Sequence, residues 1–192
     1  MFSSEKINQG IEDITSGIWK TLYTGLAKLS FKANNHADVI VVDKNGNVVL
    51  LVKIKAVSIQ IEDIKQQFIS QLELEDLHIP IPNILSMPPQ RKKIFCFIML
   101  VNLVNVEVIK FYNDNSMESV ILLNTENILK YYDPEFSHKK ILNLYLKTLI
   151  EAWLRDLAYH WKLDTPPASQ ELDEIGLLSK IEGGDTYSHN DY

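Results

Sequence analysis

Three charged residues stand at the ends of two apolar runs that flank the dipeptide Asn45-Gly46. Asp38 begins the first run, and Lys53 and Lys55 close the second. Asn-Gly between two such runs is the strongest short-range signal of a β-hairpin with a two-residue turn. With that turn, we expect Asp43 to face Val48 and Asp38 to face Lys53.

Side-chain alternation along a strand places Lys55 on the same face as Lys53. The Cβ atoms of directly opposite residues on neighbouring strands lie about 4.5–5.5 Å apart. We therefore predict that Asp38, Lys53 and Lys55 cluster at the open end of an otherwise apolar hairpin. A carboxylate beside two ammonium groups can form a salt bridge or hold a phosphate group, and the carboxylate alone is a possible metal ligand.

The run from Ala37 to Val42, a short turn and the sequence Val52-Lys53-Ile54-Lys55-Ala56 together resemble the core of the PD-(D/E)XK nucleases. The restriction-endonuclease-like type is the most similar, and the resemblance extends over residues 4–161. In that family, two carboxylates on adjacent strands hold Mg²⁺, and a lysine orients or activates the attacking water. The resemblance assigns Asp38 to the first carboxylate and Lys55 to the lysine.

Lys53 stands where the family has its second acidic residue, and Ala37 replaces the proline. An ammonium group cannot bind a metal ion and repels one. The resemblance therefore implies a degenerate remnant site, formed by the catalytic positions Asp38, Lys53 and Lys55. If the protein is an active enzyme, Asp38 would need a relocated carboxylate to hold Mg²⁺.

Two residues are candidates for that relocated carboxylate, Glu62 at the start of the next predicted helix and Glu12 on the first. The alternative for each is an exposed charge on a helix, because acidic residues favour helix N-termini. Gln67 stands where relatives often carry a glutamine that contacts DNA, although a plain polar helix position is the alternative interpretation. No other cofactor is expected.

The elements that must position these residues follow from hydrophobic periodicity. Apolar residues recur every three to four positions in the predicted helices and form alternating or continuous runs in the predicted strands. The order predicts an α/β fold with a restriction-endonuclease-like three-layer core and a mixed sheet of about four to five strands flanked by helices. The predicted elements are a helix over 4–29, the hairpin over 38–55, a helix over 59–76, strands over 93–101, 104–112 and 119–123, and helices over 124–132 and 138–161.

The chain divides in the sequence into a nuclease-like domain, 1–163, and an acidic C-terminal segment, 164–192. On the last predicted helix, the spacing of Trp153 and Trp161 favours core positions for both. The C-terminal segment contains two prolines, a Gly-Gly pair and seven acidic residues against one lysine. We therefore expect it to be a flexible tail.

The net charge of −6 comes entirely from that segment, because residues 1–163 contain 18 acidic and 18 basic residues. A neutral body argues against a strong, sequence-independent grip on DNA. The beginning of the chain lacks the layout of a signal peptide, and no apolar run is long enough for a membrane span. We expect a cytoplasmic protein without a membrane partner.

Three functions fit these observations. The first is a catalytically impaired nuclease-fold protein that binds nucleic acid through a phosphate group, or acts as a partner in a complex. The second is an active Mg²⁺-dependent DNA endonuclease with a relocated carboxylate. The third is a structural or protein-interaction domain, whose partner is another protein or a second copy in a homodimer.

Overall fold

The computed structural model describes residues 37–57, 60–74, 94–112 and 116–188. The helix predicted over 4–29, with the candidate residue Glu12, lies outside these described residues. None of the helices in the described part of the chain is long and apolar enough to cross a membrane.

One mixed β-sheet organises the described residues. Its strands lie in the order β5-β4-β3-β2-β1-β6, and β2 and β3 run parallel while the other neighbours are antiparallel. The fold is therefore α/β with a mixed sheet. The prediction of four to five strands is wrong, because the sheet has six strands, and β6 was not predicted. The strands are β1 (Val39–Val42), β2 (Val48–Ile54), β3 (Ile94–Val101), β4 (Asn105–Tyr112), β5 (Met117–Asn124) and β6 (Asp185–Ser188).

Five α-helices accompany the sheet in the described residues. The predicted helices over 59–76, 124–132 and 138–161 are present with shorter bounds. Asn124 caps α2, with its side-chain oxygen accepting a hydrogen bond from the Asn127 N–H at 2.9 Å. The helices are α1 (Ile61–Leu74), α2 (Thr125–Leu129), α3 (Asn143–Tyr159), α4 (Ser169–Glu174) and α5 (Leu178–Ile181), and a 3₁₀ turn spans Phe136–His138.

Helices cover both faces of the sheet, because the central strands are apolar on both sides. On one face, here called the α1 face, Ile64 and Phe68 of α1 pack against Leu51, Ile98 and Leu100. On the opposite face, the α3 face, the buried side of α3 and residues of α2, α4 and α5 pack against the other set of alternating strand residues. Asp38 and Lys53 belong to the α1 face, because their strand neighbours point to the α3 face.

The hairpin turn differs from the prediction. Gly46 has φ of 81° and its N–H donates to the Asp43 carbonyl at 2.9 Å, while Asn45 keeps a negative φ. A two-residue type I′ turn needs positive φ at both central residues, so the loop is the three-residue type with glycine in the left-handed position. Val42 rather than Asp43 consequently pairs with Val48, and a register shift at Val41/Val42 restores the expected pairing farther along, with Val39 opposite Val52.

The expectation of a flexible tail is wrong for residues 164–188. Leu172, Leu177 and Ile181 are fully buried in the core of the α3 face. Strand β6 pairs antiparallel with β1 along its whole length. The acidic residues misled the prediction because they occupy exposed positions, while the few apolar residues between them reach the core.

Trp153 is buried as predicted, and its indole N–H donates to the Pro167 carbonyl at 2.9 Å. The core position predicted for Trp161 is wrong, because α3 ends at Tyr159 and Trp161 is 57% exposed. His160, at φ of 50°, turns the chain out of the helix. The helical spacing that relates Trp161 to Trp153 therefore no longer applies.

Candidate functional site

The predicted contact between Asp38 and Lys53 is present. The Lys53 ammonium nitrogen lies 3.3 Å from Asp38 Oδ1. The second carboxylate oxygen, Oδ2, accepts a hydrogen bond from the Ile54 N–H at 2.6 Å. Both side chains are mostly buried, with exposed fractions of 17% for Lys53 and 14% for Asp38. The Asp38 carboxylate is thus held from two sides by donors of the neighbouring strand.

Lys55 lies just beyond the end of β2, where two backbone contacts hold the chain. The Lys55 N–H donates to the Val101 carbonyl at 2.9 Å, and the Ala56 N–H donates to Asn143 Oδ1 at 2.8 Å. Ile54 and Ala56 pack toward the α3 face, so alternation directs Lys55 toward the α1 face. Lys55 is half-buried, and its ammonium group forms no ion pair within the described residues.

A second ion pair lies on the same face, two strands away from β2. Glu107 of β4 is 5% exposed, and its Oε1 lies 3.3 Å from the ammonium nitrogen of Lys65 on α1. The register aligns Lys53 with Leu100 and Leu100 with Glu107, so the two pairs occupy one line across the sheet. We call Asp38, Lys53, Lys65 and Glu107 the charged row.

The two ion pairs of the charged row are separate sites. Three strand spacings separate Asp38 from Glu107, which corresponds to roughly 14 Å. That separation is too large for one metal ion to bind both carboxylates. The second oxygen of the Glu107 carboxylate, Oε2, is buried and has no hydrogen-bond partner among the described residues.

The sequence analysis missed Lys65 and Glu107. Glu107 stands in the alternating run Asn105–Tyr112, where a polar residue is ordinarily interpreted as facing solvent. A signal was nevertheless present, because Glu107 shares its strand face with Ile109 and Phe111, both apolar. A single acidic residue on an apolar strand face indicates a buried charge that needs a partner.

The other predicted site residues are not brought to Asp38 by any described contact. Glu62 is exposed and contacts residues of its own helix, with Lys65 at 3.5 Å and Gln66 at 3.3 Å. Gln67 is an exposed residue of α1. Within the described ranges, there is no group of three His, Cys, Asp or Glu residues that could hold a metal ion.

The residues at the hairpin end do not fit a Mg²⁺ ion. The ion favours carboxylate and water oxygens in octahedral geometry. Here one carboxylate is bonded to the Lys53 ammonium group and to a backbone N–H, and no second described carboxylate lies beside it. Among the described residues, the hairpin end combines the Asp38 carboxylate with the ammonium groups of Lys53 and Lys55.

No protein-family model matches this chain, and no curated protein or solved structure matches it either.

Proposed function

We propose that this protein is a catalytically impaired member of the PD-(D/E)XK nuclease fold that binds a phosphate group of nucleic acid at the end of its hairpin. The observation that carries the proposal is the Asp38–Lys53 pair. The position corresponding to the second acid carries an ammonium group 3.3 Å from the remaining carboxylate. A site arranged in this way neutralises its own carboxylate instead of presenting it to a cation.

Lys55 is the residue proposed to contact the phosphate. Its half-buried stem directs a charge toward the α1 face, and no described acidic residue pairs with it. A lysine binds phosphate as a compact point charge on a flexible stem. Because Lys53 already compensates Asp38, the charge of Lys55 is available to an external anion.

The number of phosphate contacts is small in this proposal. Residues 1–163 carry no net charge, and the C-terminal segment is acidic. Binding through one or two phosphates gives an affinity that falls with salt along a shallow slope, roughly −1 to −2 on a log–log scale for duplex DNA. We expect weak binding that depends on a local charge rather than on a broad basic surface.

The test is a fluorescence-anisotropy titration of labelled duplex and single-stranded DNA at several salt concentrations. Lys55→Ala should weaken binding and reduce the salt slope by roughly one. Lys44→Ala is the matched control, because Lys44 is exposed in the hairpin turn at the opposite end of the same hairpin and its loss changes the net charge equally. Equal effects of the two substitutions would refute the proposed contact.

A nuclease assay with Mg²⁺ or Mn²⁺ on plasmid DNA distinguishes the proposed impaired protein from an active endonuclease. Metal-dependent cleavage that is lost in Asp38→Ala would favour the active endonuclease with a relocated carboxylate. Absence of both cleavage and salt-dependent binding would favour the interaction domain. A specific observation keeps the interaction domain as the second candidate, namely the exposed outward face of α3.

A further inference from the structure

The outward face of α3 lies opposite the side that packs on the sheet. Residues on this face are spaced three to four positions apart along the helix. They are Leu144, Thr148, Glu151, Arg155 and Tyr159. Leu144 is 75% exposed and Tyr159 is 53% exposed. The Tyr159 hydroxyl donates to Asp185 Oδ1 at 3.0 Å, and its ring remains exposed. A helix face with an exposed leucine near one end and an exposed aromatic ring at the other is suited to contact another surface.

Trp161 adds an aromatic wall to this face. After the chain turns at His160, the indole N–H of Trp161 donates to the Ala152 carbonyl at 3.3 Å, which places the ring back against α3. The indole is nevertheless more than half exposed. Tryptophan, tyrosine and arginine are the residues most enriched at the centres of protein interfaces. Together the side chains line a shallow, open groove of about 500 Å³, formed by Thr148, Glu151, Ala152, Arg155, Tyr159 and Trp161.

Two opposite charges lie in the middle of the groove. Glu151 and Arg155 are one helical turn apart, and neither forms an ion pair within the part of the chain that the structure describes. Ala152, beside them, has a small side chain that permits close approach of a second helix. The face thus has large side chains near its ends. At its centre it has a small side chain and charges of both signs.

We propose that this face binds a second copy of the chain, with the two α3 helices antiparallel. A two-fold axis level with residue 153 sets Glu151 opposite the partner's Arg155, and Arg155 opposite the partner's Glu151. The same symmetry brings Leu144 within one helical turn of the partner's Tyr159. An isologous interface requires this reciprocity, in which the contact from one protomer to the other is repeated in reverse.

The charge pattern is the reason to choose a second copy over another partner. Binding to an unrelated protein would require complementary charges on that protein. In the antiparallel arrangement, the charges of this face are complementary to those of a second copy of the same face. With the axis level with residue 153, the two helices overlap from residue 147 to residue 159, a length of roughly 18 Å. An interface formed by one helix pair is at the lower end of the size range of specific complexes, so we expect a dissociation constant on the order of micromolar.

The experiment measures the oligomeric state of the full chain by sedimentation velocity over a hundredfold range of concentration centred at roughly 10 μM. The wild-type protein should change from monomer to dimer across this range. Glu151→Arg and Arg155→Glu, prepared as two separate proteins, should each dimerise at least roughly tenfold more weakly, because each places like charges opposite one another. Glu171→Arg, a charge reversal at an exposed residue outside the face, should dimerise like the wild type.

The decisive step is to mix the two variants. Glu151→Arg in one chain and Arg155→Glu in the other restore opposite charges at both contacts, so the equimolar mixture should dimerise with an affinity close to that of the wild type. Circular dichroism verifies that each variant is folded. A monomeric wild type, a dimer insensitive to both reversals, or a mixture that remains monomeric would each overturn the proposal.

Discussion

Two regions of the sheet, the outer edge of β1 and the charged row, are stabilised by different means. Along the outer edge of β1, strand β6 adds a backbone ladder, and the preceding Gly184 lies so close that a Cβ atom there would collide with the Val42 carbonyl oxygen. On the α1 face, the charged row contributes two ion pairs between side chains. The outer edge depends on shape and backbone hydrogen bonds, and the charged row depends on charge compensation.

The difference shows where function can change without loss of the fold. A backbone ladder with close packing stabilises the hairpin but offers no chemistry. The ion pairs contribute less net free energy, because the cost of removing the charges from water offsets much of their attraction. Their residues can therefore exchange during evolution, and a lysine at position 53 is compatible with an intact hairpin.

The largest expected effect is on the outer edge. A chain truncated after Glu182 lacks β6 and Gly184, which leaves the whole edge of β1 without a partner. We expect the free energy of unfolding to fall by about 3 kcal/mol or more, a melting temperature lower by roughly 6–12 °C for a chain of this size.

Thermal unfolding followed by circular dichroism measures this effect, and a chain ending at Ser188, which keeps β6, is the matched control. The comparison of the two truncations isolates the contribution of the strand. If the shorter chain melts within a degree or two of the longer one, the outer edge is not a major source of stability, and the contrast with the charged row fails.

The next largest effect on stability is expected at the Lys65–Glu107 pair of the charged row. Lys65→Met keeps the length of the side chain but leaves the Glu107 carboxylate without its only described ion-pair partner. Removing one member of a buried pair leaves an uncompensated charge. We therefore expect the free energy of unfolding, measured by urea denaturation, to fall by about 2–4 kcal/mol. The other oxygen of Glu107 is buried without a hydrogen-bond partner in the described part of the chain, so no described donor there can replace Lys65.

Two further variants separate charge compensation from packing. Lys65→Met combined with Glu107→Leu removes both charges and should recover most of the lost stability. Glu62→Gln removes only the exposed partner of Lys65 and should change stability by less than about 0.5 kcal/mol. A double variant as unstable as Lys65→Met would show that the pair stabilises the row by more than charge compensation.

The variant most informative for function is Lys53→Glu, whose expected result is a change in metal affinity. The change replaces the ammonium group beside Asp38 by a carboxylate, on a strand whose register does not depend on this residue. Two carboxylates on adjacent strands are a better site for a hard dication, so we expect the affinity for Mg²⁺ or Mn²⁺ to increase at least roughly tenfold over the wild type. Isothermal titration calorimetry measures the gain.

The control is Lys53→Glu combined with Asp38→Asn, which should abolish the increase. Added metal should also raise the melting temperature of the single variant, because the cation relieves the repulsion between its two carboxylates. A folded single variant with wild-type metal affinity would mean that positions 38 and 53 do not form an ancestral metal site, and the resemblance to the nucleases would lose its main support.

The amino-acid sequence by itself determined the local elements and the contact between Asp38 and Lys53. Continuous β-branched runs, an Asn-Gly turn and helical periodicity are local signals, and they placed most described strands and helices within a few residues. The hairpin prediction succeeded at its open end although its turn type was wrong. The three-residue loop shifts the pairing by one position, and the register shift at Val41/Val42 shifts it back.

Only the tertiary structure decided the surroundings of these elements. Whether Glu107 faces solvent or α1 depends on which helix covers its strand, and the two are far apart in sequence. The burial of the C-terminal segment depends likewise on β1, whose edge pairs with residues almost 150 positions later. The exposure of Trp161 follows from the left-handed turn at His160, which ends a helix whose periodicity would otherwise continue. For Glu107 and for the C-terminal segment, the deciding partner is distant along the chain, and local periodicity carries no information about it.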